Sequence, residues 1–177
     1  MAQTSACIGG TSCLNTANEE RTVTTYWENT FLPASVTRRS GDGTVTATTA
    51  YIYDAAGRPV QVTRPKGNHS YTRYDGVGRK VGQIAALADA YHEAKRFTYN
   101  SAEQLTLQEA GTVLGTSDLD WAGFAVRESL AIDYDIIGRK IRETRTGGAA
   151  TQVTQFSYDA DNRLTCRGRS PRSGCGW

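Results

Sequence analysis

Proline, methionine and histidine are all scarce in this 177-residue chain, at four, one and two residues. The only histidines are His69, in the turn-like stretch Pro65-Lys66-Gly67-Asn68-His69, and His92. No Gly-x-Ser-x-Gly elbow and no His-Glu-x-x-His pair accompanies them, so both read as surface residues without a chemical task and no catalytic residue is expected. No stretch approaches the roughly 18 consecutive apolar residues that cross a bilayer, so no membrane span is expected. The first twenty residues lack the basic start and apolar core of a secretory leader, and no signal peptide is visible. An excess of charge is missing too: a net charge of +2 is too mild to argue for nucleic acid. Gly41-Asp42-Gly43 resembles a hairpin turn, and with no lysine-bearing glycine loop after it neither phosphate binding nor any cofactor is indicated.

Cysteine is sparse and confined to the ends: Cys7 with Cys13, and Cys166 with Cys175. These gaps are longer than the Cys-x-x-Cys knuckle of structural zinc sites, so no metal is expected. Disulfides Cys7–Cys13 and Cys166–Cys175 would suit an exported protein, while free thiols in loose termini are the plainer reading.

What the chain has in quantity is glycine, 18 residues, and a threonine-rich texture, both typical of a turn-dense β protein. It also repeats itself. Tyr53-Asp54-Ala55-Ala56-Gly57-Arg58, Tyr74-Asp75-Gly76-Val77-Gly78-Arg79 and Tyr134-Asp135-Ile136-Ile137-Gly138-Arg139 are full copies of one hexamer. Tyr158-Asp159-Ala160-Asp161-Asn162-Arg163 lacks only the glycine, and Tyr99-Asn100-Ser101-Ala102-Glu103-Gln104 keeps only the opening. A degenerate sixth unit opens at Tyr26, so six of the nine tyrosines fill one slot. Tandem recurrence argues for a repeat architecture.

The hexamer reads as the tip of a β-hairpin. Tyr ends the incoming strand, Asp bonds its own backbone two residues on, and Gly supplies a positive φ at the fourth turn position. Arg then opens the outgoing strand. Asn162 tolerates the left-handed region, whereas Glu103 would lose roughly 1 kcal/mol there, which predicts an irregular turn over 100–103. Two residues before the tyrosines stand Tyr51, Thr72, Phe97, Ile132 and Phe156, and period-two alternation puts them on the tyrosine's own face. Recurrence also argues against catalysis by the Asp and Arg residues, since an active site is needed once and a hairpin tip each time.

Spacings of 27, 21, 25, 35 and 24 residues between successive tyrosines leave room for insertions in the longer intervals. Ile84 to Lys95 is rich in helix formers, and Ser117, with Asp120 three residues on, would cap a short helix that presses Trp121 and Phe124 onto a sheet. The expected organisation is an irregular segment 1–20, a repeat region 21–165 with units near 26, 53, 74, 99, 134 and 158, and a basic tail 166–177. The fold class is all-β, built of tandem antiparallel hairpins with one or two short helical insertions.

These residues resemble the RHS or YD-repeat family, whose signature is Tyr-Asp-x-x-Gly-Arg at intervals of about twenty residues. The resemblance runs from Tyr26 to about Thr165. It implies hairpins stacked into a curved, spiralling sheet that forms a shell, commonly part of a larger secreted or surface-displayed polypeptide enclosing a toxic segment. On that basis the chain is expected to be a structural shell segment and not an enzyme. Its implied partners are neighbouring repeats or copies of itself and an encapsulated toxin segment. The alternative is a carbohydrate-binding repeat module, in which tyrosine and tryptophan edges stack on glycans.

Overall fold

In the computed structural model, residues 1–7, 14–86, 91–148 and 150–170 are described. They hold thirteen strands and one short helix, and the order of strands in the sheet is the order in the chain. The strands are β1 Ala2–Cys7, β2 Glu19–Tyr26, β3 Pro33–Ser40, β4 Thr46–Tyr53, β5 Pro59–Thr63, β6 His69–Tyr74 and β7 Lys80–Ala86. After these come β8 His92–Tyr99, β9 Leu105–Val113, helix α1 Asp118–Ala122, β10 Ala125–Tyr134, β11 Lys140–Gly147, β12 Ala150–Tyr158 and β13 Leu164–Ser170. Among the described residues no helix is long and apolar enough to cross a membrane.

The chain forms two compact units, one on Met1–Thr72 with Ala85–Ala88 and one on Arg73–Ile84 with Asp89–Trp177. In the first, β1 to β6 pair antiparallel in succession. This unit has little apolar interior. Cross-strand hydroxyl pairs, Thr25 with Ser35 at 2.8 Å and Thr37 with Thr48 at 3.0 Å, join its strands. Its most buried charge is Glu19, which accepts from the Arg21 guanidinium at 2.9 and 3.0 Å and from the Asn15 backbone N–H at 2.6 Å. The Arg21 bond first, and the Asn15 bond second, hold its carboxyl below the usual carboxylate range.

The second unit holds the buried apolar side chains. Ile84, Ala94, Val113, Phe124 and Ile132 are all 9% exposed or less. Most of this core lies near the segment that links β9 to β10. Ser117 caps α1 by accepting from the Asp120 N–H, and the Asp120 carboxylate accepts from the Ser117 N–H in return, closing a capping box. The helix sets Trp121 beside Gly82, where a Cβ would stand 2.6 Å from the indole, so glycine is what lets the ring reach the sheet. The Arg73 guanidinium lies over the Trp121 ring at 5.2 Å and Arg96 over Phe124 at 4.9 Å, while the two rings meet edge to face at 5.5 Å.

Several expectations are corrected. The run Ile84 to Lys95 is not a helix: β7 extends to Ala86 and β8 starts at His92, with 87–90 outside the described residues. A helix of about twelve residues is marginal in water, whereas the strands bury Ile84 and Ala94 and add a ladder pairing His92 with Val113 and Ala94 with Gly111. Within 1–20, Ala2–Cys7 forms a strand because it finds a full antiparallel partner in Glu19–Thr24. The tail expected from 166 is strand as far as Ser170, and 171–177 lie outside the described residues. Cys7 and Cys166 are each in a disulfide, not free thiols. Their expected partners Cys13 and Cys175 also lie outside the described residues.

Candidate functional site

The repeated feature that could carry a role is the row of hairpin tips. At each one the backbone makes a reverse turn followed by one left-handed residue. Asp54 N–H donates to Arg58 O and Gly57 N–H to Asp54 O, and the same two bonds recur at 75–79, 100–104, 135–139 and 159–163. The left-handed residue is Gly57, Gly78, Glu103, Gly138 or Asn162, with φ of 76°, 92°, 62°, 88° and 63°. Asn29 takes φ 57° in the degenerate tip between Tyr26 and Pro33. Five hairpins, Tyr26 included, show a register shift just before the tyrosine, the extra residue being a bulge.

The turn over 100–103 is therefore regular, contrary to the sequence expectation. Glu103 stays in the left-handed region because the bonds around it hold the loop. Asn100 Oδ1 accepts from the N–H groups of Ala102 and Gln104 at 3.0 and 2.9 Å, as the aspartates do elsewhere.

The aspartate has a second task that the sequence reading missed. One of its oxygens accepts from two backbone N–H groups, Ala56 and Arg58 at Asp54, while the other accepts from the guanidinium of the same Arg at 2.7 Å. Asp75 with Arg79 and Asp135 with Arg139 repeat this at 2.7 Å. The Arg58 guanidinium first, and its N–H second, lower the Asp54 carboxyl. At Asp75 and Asp135 burial is the largest single influence and pushes upward, yet the combined bonds from Arg79 or Arg139 and the turn N–H groups bring the net shift down. Tyr99's tip replaces both partners at once. Asn100 Nδ2 donates to Gln104 Oε1 at 3.0 Å, so a neutral amide pair stands where the ion pair would be. Gln104 was not among the expected site residues; its place, four after the Asp slot, was the available signal.

Tyrosines connect one tip to the previous hairpin. Tyr53 OH donates to Pro33 O at 3.0 Å, Tyr99 OH to Lys80 O at 2.9 Å, Tyr134 OH to Leu105 O at 3.0 Å and Tyr158 OH to Lys140 O at 2.9 Å. Each acceptor is the first residue of the preceding outgoing strand. Tyr53, Tyr74, Tyr99, Tyr134 and Tyr158 are half-buried. Each such bond contributes on the order of 1 kcal/mol net, and it fixes the spacing between neighbours as well.

Arginines connect in the other direction. Arg79 lies over the Tyr99 ring at 5.2 Å and donates to Asn100 O at 3.3 Å, and Arg139 lies over Tyr158 at 4.8 Å and donates to Asn162 Oδ1 at 2.8 Å. Gln104 continues the series without a charge, donating to Gly138 O at 2.9 Å. Lys80 and Lys140, next after two of the tip arginines, lie over Phe97 and Phe156 at 5.9 and 5.7 Å. Arg-Lys at one tip and Phe-x-Tyr before the next thus form two cation–π contacts per step. Asp159 caps its own turn, accepting from Asp161 and Arg163 N–H groups at 2.9 and 2.8 Å, but the Arg163 guanidinium turns to Asp161 at 3.4 Å.

Residues 34–69, from β3 into β6 with the Tyr53 tip between them, match the RHS Repeat family model. No curated protein matches the chain. Among solved structures it aligns with the crystal structure of TcdB2-TccC3-Cdc42 at 17% identity over 82% of this chain and 9% of that one, with a TM-score of 0.43. It aligns with that of TcdB2-TccC3-TEV at 15% identity over 84% and 9%, also with a TM-score of 0.43. The chain thus spans about a tenth of the length of those it aligns with.

Proposed function

We propose that this polypeptide is a wall segment of an RHS shell: it makes curved, spiralling sheet, excludes solvent from an interior, and shelters a toxin segment within a larger secreted or surface-displayed protein. The single observation that carries the reading is the tyrosine hydroxyl bonded to the backbone of the preceding hairpin, repeated at four tips. A device that recurs at four of the six tips and joins only neighbours builds a solenoid-like wall, because each unit covers the apolar flank of the next. No residue of the tips is assigned a catalytic role.

The same observation favours a wall over a glycan-binding surface, since a hydroxyl already donated to backbone and a half-buried ring leave little aromatic face for a sugar. Electron microscopy of the purified chain tests the choice. Discrete curved particles or end-to-end assemblies are the expected result. Compact monomers that bind a glycan array through the tyrosine tips would overturn it.

A further inference from the structure

We propose that the Cys7 disulfide is a redox-sensitive fastening for β1: while the bond is closed the strand stays on the sheet, and once a dithiol reduces it the strand loosens. β1 is outermost among the described residues and pairs with β2, from Ala2 opposite Thr24 to Cys7 opposite Glu19. All its side chains are exposed, so burial contributes almost nothing to holding it. Its connection is no better placed. Residues 8–18 separate the two strands, and their sequence lacks the Tyr-Asp-x-x-Gly-Arg tip of the later hairpins. A connection of that length costs more closure entropy than an ordinary hairpin loop.

Cys7 is the last residue of β1, where the chain leaves the ladder, and it is in a disulfide. A crosslink there removes chain freedom that closing the hairpin would otherwise cost. Cys166, the other described disulfide cysteine, stands differently. It is half-buried within β13, which follows directly on the Asp159 to Arg163 turn. That strand has further anchors in the Ser157–Thr165 hydroxyl pair at 3.2 Å and the Arg167 guanidinium over Phe156 at 5.8 Å. The device is therefore confined to β1. In the reducing step a thiolate of the dithiol attacks one sulfur of the Cys7 disulfide, forming a mixed disulfide and expelling the other sulfur as a thiolate. The second thiolate of the reductant then displaces the remaining cysteine, so the reductant leaves as a disulfide and its two electrons end on two cysteine thiols. Exposure of Cys7 gives the attacking thiolate access. Oxidising compartments keep such a bond closed and cytosolic thiols open it, so β1 is fixed in the first and loosened in the second. The device is independent of the wall reading, which uses the tips.

Amide hydrogen exchange of the full chain, followed by NMR with and without dithiothreitol, tests the device. The amides of Gln3 to Cys7 should exchange about tenfold or more faster after reduction, while those of β4–β6 and β13 keep their rates. Cys7→Ser should exchange fast at β1 without any reductant, and Cys166→Ser should not. If Cys7→Ser does not fold, the dithiothreitol comparison still decides. Unchanged exchange at β1 after reduction verified by thiol alkylation would overturn the proposal. Equal acceleration throughout β4–β6 would do the same, because the bond would then hold the whole unit, and so would a β1 loosened in Cys166→Ser.

Discussion

A tip glycine does its work through one backbone angle. Gly78 has φ of 92°, whereas Gly76, two positions earlier, has open space around it and no positive φ. Gly78→Val should cost about 1–3 kcal/mol, because a β-branched side chain is driven into the left-handed region. Gly76→Val should cost much less. Equal losses in thermal melts would contradict the register. Glu103, held at φ 62°, invites the reverse experiment: Glu103→Gly should stabilise by up to about 1 kcal/mol, read as a higher denaturation midpoint. Its side chain is exposed, so little packing is lost.

Loops and insertions respond to their electrostatics and their room. Asp54, Asp75 and Asp135 all have carboxyls lowered by folding. A lowered carboxyl contributes stability that is present above its unfolded pKa and lost as pH falls through the folded value. These tips should therefore loosen below about pH 4, seen as faster amide exchange at Arg58, Arg79 and Arg139. The Asn100–Gln104 tip has no carboxylate in its pair and should keep its protection over the same range; parallel loss there would rule out the ion pairs as the cause. At the β9–β10 connection the limit is steric. Gly82→Ala puts a Cβ into the Trp121 ring, so α1 should shift off the sheet and tryptophan fluorescence should move to longer wavelength with only a small change in strand content.

At the scale of the whole molecule, β1 and β13 are the outermost strands of the sheet among the described residues. Edge strands with unpaired backbone groups pair with other chains unless charge, proline or a bulge prevents it. Ala2–Cys7 is exposed along its length and carries none of the three, whereas β13 bears Arg167 and Arg169. The purified chain should therefore self-associate with concentration in sedimentation velocity, and Ser5→Lys should reduce this without lowering the melting temperature. Association unchanged by that charge would place the contact elsewhere.

The sequence by itself determined the hairpins. Tyr-Asp-x-x-Gly-Arg is a local instruction, because a turn needs only its own φ angles and its own side-chain caps, and those act within six residues. It could not show what passes between hairpins. The tyrosine hydroxyl reaching the previous strand and the guanidinium over the next ring join residues that meet only once the register is set. Glu103 and the run from Ile84 were misread for the same reason, since local preferences of about 1 kcal/mol yielded to a loop's hydrogen bonds and to a neighbouring strand.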